Sequence, residues 1–110
     1  MGLVVLHGNR IETLRDITVA WLARQPLPPS DDEVVLVQSN GIAQWFKMGL
    51  ARSQDSGGLG IAAGARVELP SRFLWRTYRR VLGEGAVLEE SPYAKHRLTW
   101  RLMRLLPALA

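Results

Sequence analysis

Three primary amides are the side chains whose type and spacing best suit recognition chemistry. Gln38, Asn40 and Gln44 follow an apolar run at 34–37, which predicts a strand end and the first turns of a helix. An amide carries donors and an acceptor without charge, which suits the edge of a nucleobase better than a phosphate. The alternative is that Asn40 caps the helix and both glutamines are solvated, and spacing alone leaves both interpretations open.

A tryptophan among arginines is the second candidate for recognition. On a helix beginning near Pro70, Trp75 shares a face with Arg72, Arg76 and Arg79. Bases of an unpaired strand stack on such a ring while cations follow the phosphates. The alternative is an amphipathic helix with Trp75 at the margin of the core. The last predicted helix carries a second basic stripe, which consists of Arg97, Arg101 and Arg104.

Catalytic and cofactor chemistry is poorly represented in this sequence. The turn at 7–10 has one glycine and lacks the Gly-Lys-Ser/Thr of a phosphate-binding loop. His7 and His96 have no metal-ligand spacing, and the acid pairs at 31–32 and 89–90 are typical of solvated loops. We therefore expect no catalytic residue, no bound metal and no cofactor.

Charge is unevenly distributed along the 110 residues, which carry a formal net charge of +4. Residues 1–55 hold five Lys/Arg and six Asp/Glu, whereas residues 56–110 hold nine and four. Such an excess indicates either an anionic partner or a solvated basic surface.

Targeting and redox signals favour a soluble protein of the cytoplasm that does not enter a membrane. The chain contains no cysteine, its first residues lack the features of a secretory signal, and no apolar run is long enough to span a bilayer. The apolar end at 105–110 leads us to expect a fragment of a longer protein.

Apolar runs and helical stripes alternate along the chain and predict an α/β fold. Runs at 3–7, 34–37 and 61–67 are each followed by a helical pattern, which is typical of a three-stranded parallel sheet with flanking helices. We expect an α/β domain at 1–85 and, at 86–110, the start of a helical extension that is truncated in this sequence.

Five segments, taken together and in order, resemble the amino-terminal region of the RecC family. They are residues 7–10 (HGNR), 37–45 (VQSNGIAQW), 60–63 (GIAA), 69–75 (LPSRFLW) and 100–107 (WRLMRLLP). The second block is the specific one, and the match runs along nearly the whole chain.

The resemblance implies a fold and a function that the residues alone do not. The fold would be an inactivated superfamily 1 helicase domain 1A, related to P-loop proteins but without a working P-loop. RecC proteins form a heterotrimer with RecB and RecD, an exodeoxyribonuclease V that processes double-strand breaks for recombinational repair. The family's role is to hold the 3′-ended single strand of DNA and to scan it for the Chi hotspot without catalysing a reaction itself.

Family residues that line the scanning site match Gln38, Gln44, Leu69 and Trp75. Asn40 stands where the family pattern has Thr, so its contact with a base would differ. Together with Arg72 and Arg76, these residues form the expected DNA-binding set.

Two other functions are compatible with the sequence. One is a structural scaffold whose arginine faces dock partner subunits without reading DNA. The other is a working nucleotide hydrolase, against which the missing Gly-Lys-Ser/Thr argues.

Overall fold

A computed structural model describes residues 2–28 and 30–109 of the chain. In chain order the elements are α1 (Ile11–Arg24), β1 (Glu33–Leu36), α2 (Asn40–Ala51), a 3₁₀ turn (Gln54–Ser56), β2 (Ala65–Glu68), α3 (Pro70–Leu82) and α4 (Lys95–Leu109). They form two compact units, Met1–Pro70 and Ser71–Ala110. The predicted division into a domain at 1–85 and an extension at 86–110 stays a prediction.

The predicted three-stranded parallel sheet is wrong, because residues 3–7 adopt no regular secondary structure. A doubly buried strand needs a neighbouring strand beside it and apolar layers on both faces. Here the run stays in solvent, with Leu3 89% and Leu6 54% exposed. The described chain has a two-stranded sheet and four α-helices. The helicase-like fold, which required the larger sheet, is not supported.

The two strands that do form pair in parallel. Val34 lies opposite Arg66 and Leu36 opposite Glu68 in the ladder. The backbone N–H of Val37 donates to the carbonyl of Glu68 at 3.0 Å, which continues the pairing one residue past β1. Because the two strands are parallel, their carboxyl ends lie at the same edge of the sheet.

The third predicted strand is present but shorter than the run at 61–67 suggested. It begins at Ala65, directly after Gly64, whose φ of +81° is readily adopted only by glycine. The backbone N–H of Glu33 donates to the carbonyl of Gly64 at 2.9 Å, so pairing starts at this turn.

The core of unit Met1–Pro70 is small and centred on α2. Its buried apolar side chains come from α1, α2 and β2, and they are Val19, Ala43, Phe46, Leu50 and Val67. The helical pattern predicts an inward stripe of Ile42, Trp45, Phe46, Gly49 and Leu50, of which the last three are buried and the first two half-buried, whereas the buried Ala43 lies outside it. This packing fixes α2 against the sheet and against α1, and so determines where the first turn of α2 lies.

Unit Ser71–Ala110 holds most of α3 and all of α4, and neither helix has a buried residue. The apolar stripe of α3 predicts a core of five side chains, of which Phe73 is half-buried and Leu74, Tyr78, Val81 and Leu82 are exposed. A helical stripe is buried only where another apolar surface covers it, so the pattern indicated an amphipathic helix correctly but not its burial. None of the helices in the described residues is long and apolar enough to cross a membrane.

Candidate nucleic-acid interface

Gln38, Asn40 and Gln44 lie at the junction between β1 and α2. Gln38 follows the last paired residue of β1 by two positions, Asn40 is the first residue of α2, and Gln44 lies one turn further along. All three side chains are exposed, and within residues 2–28 and 30–109 none of them makes a hydrogen bond. The junction therefore presents three amides with free donors and acceptors.

The cap of α2 is Ser39 and not Asn40. The hydroxyl oxygen of Ser39 accepts a hydrogen bond from the backbone N–H of Ile42 at 3.2 Å, while the Ser39 backbone is extended, as an N-cap requires. The alternative in which Asn40 caps the helix is thus wrong, and the Asn40 amide is available for another partner.

Leu69 lies at the same edge of the sheet as Gln38. It directly follows β2 and is half-buried, while Gln38 follows β1 at nearly the same level of the parallel ladder. Unit Met1–Pro70 therefore carries four of the seven predicted residues, and two of them, Gln38 and Leu69, follow neighbouring strands at one edge of the sheet. This edge thus offers amide hydrogen-bonding groups and an apolar side chain.

Arg15 holds α2 in place from α1, a contact that the sequence analysis missed. Its guanidinium carbon lies 4.4 Å from the centroid of the Trp45 ring, next to Gln44 in the chain. The Arg15 Nε and the Arg52 Nη2 both donate to Asp16 Oδ1 at 3.0 Å. No motif signals this arrangement, because its members are spread over two helices.

The pKa of the Asp16 carboxyl group is affected by two neighbouring cations, the guanidinium groups of Arg15 and Arg52. The hydrogen bond from Arg15, and to a smaller extent that from Arg52, lowers the pKa of Asp16 below its usual value. The carboxylate therefore stays ionised and links α1 to the end of α2 at neutral pH.

Trp75, Arg72 and Arg76 lie on α3 in the unit Ser71–Ala110. Arg72 is exposed, and Trp75 is half-buried with its indole N–H donating to the carbonyl of Leu88 at 3.1 Å. The Arg76 guanidinium carbon lies 5.7 Å from the centroid of the Phe73 ring. Trp75 is thus fixed in orientation by its own unit and keeps part of its ring accessible.

Ligands for a metal do not converge in the described chain. Within residues 2–28 and 30–109, no group of three or more His, Asp or Glu side chains could hold an ion. The Nε2 atom of His96 lies 3.3 Å from the Glu90 carboxylate, which makes it one half of an exposed polar pair.

Comparison with known protein families identifies the family of this chain. Residues 3–110 match the family described as RecC, N-terminal domain. The chain belongs to this family. The match covers β1, α2 and β2, so the amide junction lies within the RecC amino-terminal domain.

Two relatives from the RecC family show how much of the protein this domain represents. The RecBCD enzyme subunit RecC of Escherichia coli (strain K12) is 39% identical over 106 residues, which cover 96% of this chain and 9% of the relative. The subunit of the same name from Haemophilus influenzae (strain ATCC 51907 / DSM 11121 / KW20 / Rd) is 34% identical over 107 residues, covering 94% and 9%. The chain therefore spans about a tenth of the length of these curated relatives.

Proposed function

We propose that this RecC domain helps to hold a 3′-ended single strand of DNA and to scan it for the Chi hotspot, within a complex that also contains RecB and RecD. The observation that carries the proposal is the set of three exposed amides at the β1–α2 junction, none hydrogen-bonded within the described residues. The names of the two relatives, each a RecBCD enzyme subunit, support the assembly.

The chemistry of the junction favours bases over phosphates. Gln38, Asn40 and Gln44 are neutral, and a Gln or Asn amide pairs with a base edge through one donor and one acceptor. Phosphate binding would instead use cations, which on this chain are concentrated in the unit Ser71–Ala110, with eight Lys/Arg against three Asp/Glu. Within that unit, Arg72, Trp75 and Arg76 would provide stacking and backbone contacts of their own.

The proposed role is non-catalytic. ATP hydrolysis and strand cleavage would belong to other parts of the complex, and this domain would supply only recognition. Because Asn40 replaces the Thr of the family pattern, we expect its contact with a base to involve an amide, with a different sequence preference at that position.

The experiment is the replacement Gln44→Ala in the complete complex, with Gln54→Ala as matched control. Gln54 is an exposed glutamine of the 3₁₀ turn, outside the junction. We expect discrimination between hotspot and non-hotspot DNA to fall by roughly 5- to 150-fold, the equivalent of about 1–3 kcal/mol for one base contact. Unwinding of DNA without a hotspot should be unchanged, and Gln54→Ala should change neither activity.

A scaffold that only docks partner subunits predicts the opposite pattern. Gln44→Ala would then reduce hotspot response and unwinding equally, through loss of assembly. A second arm uses the double variant Arg72→Gln/Trp75→Ala and measures binding of single strands at several salt concentrations. Binding that is salt-dependent and weakened by this variant supports the recognition role, and binding indifferent to it supports the scaffold.

A further inference from the structure

The arrangement of arginines around Trp75 occurs a second time in the chain. Trp75 has arginines three residues before it, one after it and four after it, and Trp100 has the same three, at Arg97, Arg101 and Arg104. Both copies lie inside helices, α3 and α4. Because residues three and four apart are neighbours on a helix, each tryptophan lies between two arginines on one face.

Trp75 and Trp100 differ in the contacts that their side chains make. The indole N–H of Trp75 donates to Leu88, and the ring meets Tyr78 edge-on at a centroid distance of 6.3 Å. Trp100 is 69% exposed and, within residues 2–28 and 30–109, has neither a hydrogen bond nor a ring contact. The second copy therefore has the more accessible aromatic face.

A second exposed aromatic ring lies beside one of these arginines. The Arg101 guanidinium carbon is 6.0 Å from the centroid of the Tyr93 ring, and Tyr93 is 70% exposed. Arg97 is engaged by Glu90, with its Nε 3.1 Å from Oε2, whereas Arg104 makes no ion pair among the described residues. The segment from Tyr93 through α4 thus carries two exposed rings and, at Arg101 and Arg104, two arginines without an ion pair among the described residues.

We propose that Tyr93, Trp100, Arg101 and Arg104, called here the α4 face, bind single-stranded DNA without reading its sequence. Unpaired bases would stack on the two rings while the arginines contact phosphates. The excess of eight Lys/Arg over three Asp/Glu in the unit Ser71–Ala110 complements a polyanion. The face goes beyond the proposed scanning role, since every base offers a ring face and no hotspot is needed.

The test measures binding of a labelled oligo-dT strand, which contains no hotspot, to the full chain by fluorescence anisotropy. We expect Trp100→Ala to weaken binding by roughly 5- to 150-fold and Trp100→Phe to weaken it less, because the smaller ring still stacks. The slope of log affinity against log salt should shrink by about 0.7 in Arg104→Gln, the value for one phosphate contact on a single strand. Each variant is exposed at the changed position, and circular dichroism verifies its helix content.

Two control variants distinguish binding by the α4 face from a general attraction of DNA to positive charge. Arg80→Gln removes an exposed arginine of α3 outside both copies of the pattern, and Leu105→Ala removes an exposed apolar side chain elsewhere on α4. Both should bind oligo-dT more tightly than the Trp100 and Arg104 variants. Duplex DNA, whose bases are already stacked, should bind more weakly than oligo-dT to the unaltered chain.

Three results would overturn the proposal. They are unchanged oligo-dT affinity in both Trp100 variants, equal loss of salt slope in Arg80→Gln and Arg104→Gln, and failure of Trp100→Ala to assemble with partner subunits while its oligo-dT affinity is retained. The last would identify the α4 face as a protein interface. Gln44→Ala should leave oligo-dT affinity unchanged, so the outcome here is independent of the scanning experiment.

Discussion

The Arg15 guanidinium carbon on α1 lies 4.4 Å from the centroid of the Trp45 ring on α2. The side chain of Arg15 also passes over Gly49, a buried residue of α2. A Cβ at Gly49 would lie 2.8 Å from the Arg15 Cδ and 3.3 Å from its Nε. The absence of a side chain at Gly49 therefore lets the arginine stem of α1 rest on α2. This contact adds to the core packing that positions the helix carrying Asn40 and Gln44.

The replacement Gly49→Ala should have an effect on stability that depends on Arg15. Alanine gains roughly 0.5–1 kcal/mol over glycine inside a helix. Displacing Arg15 from Trp45 loses about 0.5–1 kcal/mol of cation–π attraction, so we expect little net change in the unaltered protein. In an Arg15→Ala background the same replacement should stabilise by roughly 0.5–1 kcal/mol. Urea unfolding of the four proteins measures this coupling.

Gly41 provides the matched control for that cycle. It lies in the same helix, and a Cβ there would meet only the Ser39 hydroxyl oxygen, at 3.8 Å. Gly41→Ala should therefore have the same effect with and without Arg15. Equal effects of Gly49→Ala in both backgrounds would mean that the stem of Arg15 is not limited by the space above Gly49.

Replacing Ser39 should affect the stability of the protein, whereas replacing Asn40 should affect recognition. Ser39→Ala removes the cap of α2 and should destabilise the protein by about 1 kcal/mol. Asn40→Ala removes no hydrogen bond among the described residues and should change stability by less than about 0.5 kcal/mol, while altering base preference in the complete complex. Urea midpoints measure the first effect and hotspot discrimination the second. Equal destabilisation by both replacements would show that the Asn40 amide serves folding.

The sequence predicted local structure well and burial poorly. The strand at Glu33–Leu36 and the helix beginning at Pro70 follow from an apolar run and from proline at a first helical position. The run at 3–7 has the same composition as a buried strand, yet it is exposed, because composition does not determine whether a neighbour covers it. The predicted burial of the apolar stripe of α3 was wrong for the same reason.

The candidate site was predictable where it depends on adjacent residues. Gln38, Asn40 and Gln44 come together because a strand end and a helix start are consecutive in the chain. The contact of Arg15 with Trp45 joins residues thirty positions apart and depends on how two helices pack, which no local pattern specifies. Trp100 was overlooked although its signal, the repeated arginine spacing, is present in the sequence.

The ion pairs of Asp16 should make stability fall as the solution becomes acidic. Hydrogen bonds from Arg15 and, to a smaller extent, Arg52 lower the pKa of Asp16 in the folded chain below the ordinary value that it has when unfolded. The stabilisation is therefore complete above that unfolded value and is lost as pH falls through the lower folded pKa, because protonation removes the acceptor charge. Asp16→Asn should lower the melting temperature at pH 7 and flatten its decline between pH 5 and pH 2, as calorimetry at successive pH values would show.

Asp55→Asn, at an exposed carboxylate with no ion pair among the described residues, should leave the slope of that decline unchanged. An equally steep decline in Asp16→Asn and the unaltered protein would place the acid sensitivity elsewhere.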